Sequence, residues 1–442
     1  ARSFLPLLCL VSVACALPAL GMQLRGEALD SDYLAHLMWA RHARDAGITG
    51  VVSRTGVVED PSIFYPNTVP KPLGLLFVLA VDSTSLPAAH AAAQLLILLL
   101  MILVSGTLVA RQTSSPGPAI FACALLGLHP AVLVLSHSGS PVIMMLLFLL
   151  TGSLVRGRAS MVFGALAALT RPEGLLYSTE LCLRRRRALA LTVLIPVSLA
   201  AWLGLNRLMA GDWLWSAREV RYVIEAMPYP RPSVLAYPAV VALRSLRVLG
   251  PVLLFALISS FRSYPWSWSS VANLLLLWVS LALGSLVLDR YVDLAMILAI
   301  PWAVASVFRL TTRLRRSLRA AVLGAAFLFP MLLWIPGIPA WDFEVELARR
   351  LDRLEMPPDG GLIAVNELLV PRIALANDIT DPVGRFVALD RAVFERRDLG
   401  ELGVSEVLVA VHPVYLPGLT RSFLEEQAGS IEPDTLLVWS GR

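Results

Sequence analysis

Two runs without a charged side chain, Ala91–Ala110 and Val271–Leu288, constrain this chain more than anything else in it. Each has the length of a helix that crosses a hydrocarbon layer roughly 30 Å thick. The composition agrees: 57% of the 442 residues are hydrophobic and 16% are charged. Soluble globular proteins run nearer half apolar and a quarter charged, so a single water-soluble core is excluded. The expected fold class is a polytopic α-helical membrane protein.

Apolar segments are expected at about eleven places, some of them short for a crossing. They cover residues 4–22, 88–110, 117–136, 141–155, 159–171, 172–183, 188–207, 236–260, 267–287, 291–309 and 320–337. The first, Phe4–Leu20, follows Arg2 and contains an Ala-Cys-Ala that resembles a cleavage site; it is read as an anchor helix rather than a signal peptide. The loops between alternate pairs of segments hold Arg111, then Arg156 and Arg158, then Arg184 to Arg187, then Arg262, then Arg309, Arg313, Arg315, Arg316 and Arg319. All of these fall on one side if the N-terminus is cytoplasmic. Loop 23–87, the region around 208–235, the turn at 288–291 and the tail from about 338 then share the outer face. The net charge of +5 arises from 37 basic residues, of which Lys71 is the sole lysine. Arginines set between apolar spans are a topology signal, so nucleic acid is not an expected partner. Cys9, Cys15, Cys123 and Cys182 show no metal-type pairing and read as small buried hydrophobes.

The segment 159–183 turns at Thr170-Arg171-Pro172-Glu173-Gly174, with Pro172 and Gly174 expected to make the break. Arg171 and Glu173 are expensive facing lipid and are expected in a cavity. Past residue 338 the pattern changes. Trp341–Glu355 reads as an amphipathic helix, and Leu362–Val365, Arg385–Leu389, Val407–Val411 and Thr435–Trp439 read as strands, with a helix at Leu419–Gln427. Two domains are therefore expected, a transmembrane one over 1–337 and a small α/β domain over 338–442 with a parallel sheet. No Gly-rich phosphate loop follows any of these strands.

Chemistry-bearing residues on the outer face gather at four places. Asp30-Ser31-Asp32-Tyr33 precedes an amphipathic helix running from Tyr33 to Asp45. Two carboxylates so spaced can act as a general base or hold a divalent cation, and equally Asp can cap the helix. Tyr65-Pro66-Asn67-Thr68-Val69-Pro70-Lys71-Pro72 forms a loop before an apolar run, with Lys71 read either as functional or as a snorkelling interfacial residue. Arg171 and Glu173 make the third place. Asp289-Arg290-Tyr291, with Asp293 just beyond, makes the fourth: an arginine there can fork onto a phosphate, or Asp289 and Arg290 can merely cap the turn. Arg218, Arg221, Arg244 and Arg247 on this face run against the positive-inside rule and point to an anionic ligand or to carboxylates such as Glu219 and Glu225. His129, His137 and His412 lack a matching spacing and read as ordinary polar residues. Neither HExxH, Walker nor Ser/His/Asp patterns occur.

These motifs together resemble the GT-C superfamily of membrane glycosyltransferases. DSDYLAHLMWARHARDAG (Asp30–Gly47) is similar to the acidic first loop of that superfamily, and YPNTVPKPLGLLFVLA (Tyr65–Ala80) to the loop end that re-enters the membrane. ALTRPEGLL (Ala168–Leu176) and LDRYVDLAMILAIP (Leu288–Pro301) resemble the Arg-Pro-Glu-Gly and Arg-Tyr elements of bacterial members. The resemblance implies transfer of a sugar from a polyprenyl-phosphate donor to a glycan, lipid or protein acceptor, on the outer face of the cytoplasmic membrane. It implies Asp32 as the base, with Asp30 second because Ser31 separates the two acids. Arg290, with Arg171 and Lys71, would hold the donor phosphate; Glu173 would orient Arg171, with Asp289 and Tyr291 in support. No cofactor is required by the sequence, though a divalent cation on Asp30 and Asp32 stays open. Two other readings remain, a non-catalytic GT-C-like subunit of a larger membrane complex and a lipid or solute transporter.

Overall fold

The computed structural model describes residues 4–25, 31–51, 57–58, 63–64, 71–84, 89–216, 233–282, 290–334, 346–354, 361–366, 369–379, 385–394, 396, 398–411, 418–428 and 435–440. Asp30 and Asp289 lie outside these residues, as do the side chains of Asp32, Arg290 and Tyr291. The protein is mostly helical. Among the described residues five helices are long and apolar enough to cross a membrane: Leu5–Leu24, Ala89–Thr113, Leu189–Ala210, Tyr237–Ser259 and Val292–Arg313. A sixth crossing follows if the bent pair Pro116–Leu128 and Pro130–His137, which meet at 55°, counts as one.

Prolines explain why the expected count of about eleven is not reproduced. Pro72, Pro116, Pro130, Pro141 and Pro172 each open a helix. A proline there gives up only an N–H that has no intrahelical partner, and its fixed φ suits the first turn. The same prolines chop the apolar stretch 116–184 into short helices. With α1 at Leu5–Arg25, α2 at Ser31–Ala46, α3 at Pro72–Asp82 and α4 at Ala89–Thr113, these are α5 (Pro116–Leu128), α6 (Pro130–His137), α7 (Pro141–Leu154), α8 (Arg158–Thr170) and α9 (Pro172–Arg184). At about 1.5 Å per residue, α7 to α9 reach only about 20 Å each, short of the hydrocarbon thickness.

The remaining long helices are α10 (Ala188–Ala210), α11 (Tyr237–Ser259), α12 (Ser267–Ala282), α13 (Arg290–Leu310) and α14 (Arg316–Leu332). The α13 span is central, 83% of it buried inside the protein, against 17% for the α1 and α10 spans, which leave most of their apolar surface outward. Helix α11 kinks at Gly250, whose φ of 66° belongs to the left-handed region, just before Pro251. The kink lies against Phe329 and Pro330 of α14.

Near the C-terminus, β3 (Leu362–Val365), β4 (Phe386–Ala388), β5 (Val404–Val411) and β6 (Thr435–Ser440) form a sheet in the order β4-β3-β5-β6. The first three strands are parallel, as expected, while β6 pairs antiparallel with β5. Short helices α15 (Val370–Ala376) and α16 (Leu389–Phe394) make the crossovers, and α17 (Gly418–Ala428) precedes β6. Of the expected helix at Trp341–Glu355, residues 346–351 are helical and residues 341–345 and 355 lie outside the described residues. A two-residue hairpin, Val57–Val58 with Ile63–Phe64, lies in the long loop after α2. All four cysteines are free thiols.

The sheet domain corrects the reading of α2. An amphipathic helix was expected from Tyr33 to Asp45, yet every residue from Tyr33 to Ala40 is buried. Leu37, Met38 and Trp39 join one apolar cluster with Leu351, Ile373 and Phe386 of the C-terminal region. A helix covered on all sides does not need a polar stripe. Beyond Asp32 at its start, its charge lies in the last turns, where Arg44 and Asp45 are exposed.

Candidate functional site

The site is built from the start of α2 outward. Asp32 is the second residue of that helix, at an N-terminus where a carboxylate is favoured by free backbone amides, and Asp30 precedes the helix in sequence. One residue on, the Tyr33 hydroxyl lies 2.6 Å from His90 Nδ1. His90 Nε2 lies 3.7 Å from Asp82, and Asp82 accepts from Arg41 Nε at 3.1 Å and from Arg44 at 3.2 Å. A chain of polar groups therefore runs from the start of α2, across the α3–α4 hairpin, to the far end of α2.

One turn after Asp32, His36 Nε2 accepts the backbone N–H of Lys71 at 2.9 Å. An amide can only donate, so Nε2 carries no proton and the ring's proton sits on Nδ1. Lys71 directly precedes Pro72, the first residue of α3, and its side chain is folded in at 6% exposure. It is therefore not the snorkelling lysine of an interface, which keeps its ammonium in water. A buried ammonium of this kind is tolerated only with anionic or strongly polar company. Between Tyr33, His36, Gly74, Gln94 and Ser140 lies a space of about 20 Å³, enough for about one water. Gly139 closes it from the α6–α7 turn: its φ is 71°, and a Cβ there would come within 2.7 Å of the Tyr33 ring. A larger cavity of about 300 Å³ opens at the other end of α2, lined by Arg41, His42, Arg44, Asp82 and Asp378.

Arg171 and Glu173 form a two-pronged pair, Nε to Oε2 at 3.2 Å and the outer nitrogen to Oε1 at 3.0 Å. Arg171 is buried at the corner between α8 and α9, and Glu173 sits in the first turn of α9, where the helix dipole favours a carboxylate. Pro172 opens α9 as expected, but Gly174 has a different job from breaking the helix. It lies within α9, and a Cβ there would stand 2.2 Å from the Ala167 carbonyl oxygen. Its missing side chain lets α8 and α9 touch backbone to backbone. Helix α8 also packs on α3, the helix that Lys71 precedes.

Arg290 opens α13. One turn along, buried Asp293 pairs with Arg244 at 3.7 Å, and the Arg247 guanidinium stacks 4.1 Å over the Trp334 ring. These partners account for two of the four arginines that ran against the positive-inside rule; Arg218, Arg221, Glu219 and Glu225 lie outside the described residues. His129 is structural: its Nδ1 accepts from the Ala131 amide, which caps α6, and its Nε2 reaches the Val248 carbonyl at 2.9 Å. His137 is buried, and His412 lies outside the described residues.

The structure thus joins Tyr33, His36 and Lys71 at one corner and adds Asp82 and His90, which sequence reasoning missed. Their signal was positional, a charged residue ending one apolar helix and a histidine near the start of the next, at a hairpin facing the acidic motif. No protein-family model matches the chain, and no curated protein matches it.

Proposed function

We propose that this protein is a membrane glycosyltransferase that uses a polyprenyl-phosphate-linked sugar. The carrying observation is that buried Lys71 is held through its backbone by His36, which follows Asp32 by one turn of α2. A carboxylate and a sheltered cation on neighbouring elements are what sugar transfer from a lipid phosphate requires.

In the proposed step the Asp32 carboxylate takes the proton from the acceptor hydroxyl as its oxygen forms a bond to the sugar's anomeric carbon. The bond from that carbon to the phosphate oxygen breaks, and the electron pair leaves with the polyprenyl phosphate. Lys71, Arg171 and Arg290 offset the charge that grows on this leaving group, where donors fixed in a low-dielectric site are most effective. Glu173 orients Arg171 through the two-pronged pair. Asp30 is the second choice for the base, Asp289 and Tyr291 support Arg290, and a divalent cation would bind at Asp30 and Asp32. The acceptor would be a glycan, lipid or protein on the outer face of the cytoplasmic membrane, with the N-terminus inside and the sheet domain outside.

The water-sized space beside Tyr33 and His36 favours one second reading, a non-catalytic subunit of GT-C type within a larger membrane complex. Donor binding tests the phosphate assignments. Purified protein is titrated with a polyprenyl-phosphate sugar and compared with Lys71→Met, Arg171→Met, Arg290→Met and Asp32→Asn. The proposal expects weakened binding in the first three and near-native binding in Asp32→Asn; unchanged affinity in all three cation variants overturns it.

A further inference from the structure

We propose a second anion site, for a phosphate-bearing ligand, at the end of the helical bundle opposite α2. The inference is independent of the glycosyltransferase reading. Helix α4 begins at Ala89, next to the Tyr33–His90 contact, and ends at Thr113, about 36 Å away at 1.5 Å per residue. At that far end a cleft of about 430 Å³ opens between four helices.

Four arginines line it, each from a different place: Arg111 from the end of α4, Arg156 from the α7–α8 turn, Arg185 from the α9–α10 turn and Arg309 from the end of α13. Among the described residues no carboxylate lines it with them. Among the described residues none of the four is paired with an acid, and the nearby Glu180 is taken up by Arg184 at 2.8 Å. The sequence explains the imbalance, because Asp and Glu are absent from residues 83–172, 181–211, 226–288 and 294–341. Three of the cations are held by backbone carbonyls, Arg309 through Ala305 of its own helix at 3.2 Å. Arg111 donates to the Leu154 carbonyl at 2.6 Å, and Arg185 donates to the Ser153 and Val155 carbonyls at 3.0 and 3.3 Å. Buried Trp302 and Leu108 supply an apolar floor.

Like charges gathered around one cleft repel one another unless an anion sits among them. Guanidinium groups match phosphate oxygens in shape and charge and are less strongly hydrated than ammonium groups. Positioning by the positive-inside rule alone asks only that arginines lie near this end of the spans, not that two helix ends and two turns bring them to one cavity. The ligand is therefore a phosphate group, carried by an anionic lipid or supplied as a free anion.

The test uses the full chain in a neutral detergent. Retention of phosphatidylglycerol and of phosphatidylcholine is measured by native mass spectrometry, and inorganic phosphate and pyrophosphate are added as competitors. The double variant Arg156→Gln/Arg309→Gln removes two cleft charges that bridge no other element. Arg158→Gln/Arg316→Gln removes the same charge from positions outside the cleft that are exposed, as Arg156 and Arg309 are. Phosphatidylglycerol is expected to bind in preference to phosphatidylcholine, with a loss of about tenfold or more in the cleft variant and little change in the control. Displacement by pyrophosphate at low millimolar concentration identifies a site open to free anions; resistance to it identifies the lipid head group. Equal losses in the two double variants, or no preference for the anionic lipid, overturn the site. Arg309→Gln alone repeats the comparison should the double variant fail to fold.

Discussion

Replacing Gly174 with alanine tests the packing on which the Arg171–Glu173 corner depends. A Cβ built there stands 2.2 Å from the Ala167 carbonyl oxygen, 2.5 Å from its carbon and 2.9 Å from the Ala168 nitrogen. All three atoms are backbone, so no side chain can swing aside, and α8 and α9 must separate by about 1 Å. Overpacking of this kind costs about 1–3 kcal/mol and sometimes more, against a helix-propensity gain of about 1 kcal/mol for Gly→Ala. The net expectation is a loss of up to about 2 kcal/mol. A Cβ added at Gly204 in α10 would meet nothing within 4 Å, so Gly204→Ala is expected to be neutral or to stabilise by about 0.5–1 kcal/mol. Apparent melting midpoints of the detergent-solubilised protein, followed by tryptophan fluorescence, should move in opposite directions for the two variants. Because Gly174 adjoins Glu173, a shift of about 1 Å there should also lower sugar transfer, by about a hundredfold on the scale of such misplacements. Midpoints that move together, or a stabilised Gly174→Ala, refute the close approach.

Other consequences follow from the same contacts. His36→Ala removes the acceptor used by the Lys71 amide and should cost about 1–3 kcal/mol in denaturation of the purified protein, with part of it restored in His36→Gln. Arg244→Met strips buried Asp293 of its cation and should cost about 3–5 kcal/mol, whereas Arg244→Met/Asp293→Leu should recover most of that loss in the same assay. Trp39, fully buried between α2 and the sheet domain, should cost about 3–5 kcal/mol as Trp39→Ala and make the C-terminal domain more sensitive to limited proteolysis.

What the sequence carried, and what it did not, divides along physical lines. Apolar length is a local property, so the helices at 5–24, 89–113, 189–210, 237–259 and 292–313 stand where hydropathy placed them. Apolarity does not report helix ends, and the prolines at 116, 130 and 141 set where the helices of 116–154 begin and bend, whereas the break at Pro172 was legible. The parallel strands at 362–365, 386–388 and 404–411 were legible from their apolar runs, but the reversed direction of β6 was not, because direction is set by the connection rather than by composition. The burial of α2 depends on a domain more than 300 residues later in the chain, which a local pattern cannot signal. At the site, the Arg171–Glu173 pair was legible because two residues of spacing at a helix start bring them together. His90 and Asp82 were not, since Tyr33 meets them only after the chain has doubled back through α3 and α4.

The central claim is that the acid at the start of α2 is the base for sugar transfer from a lipid phosphate. Purified protein is offered a panel of radiolabelled polyprenyl-phosphate sugars with membrane-derived acceptors, alongside Asp32→Asn and Asp30→Asn. The account expects labelled product and released polyprenyl phosphate in equal amounts, lost in Asp32→Asn while donor binding persists, and reduced less in Asp30→Asn. Donor binding without turnover across the whole panel, or full transfer in Asp32→Asn, would contradict it.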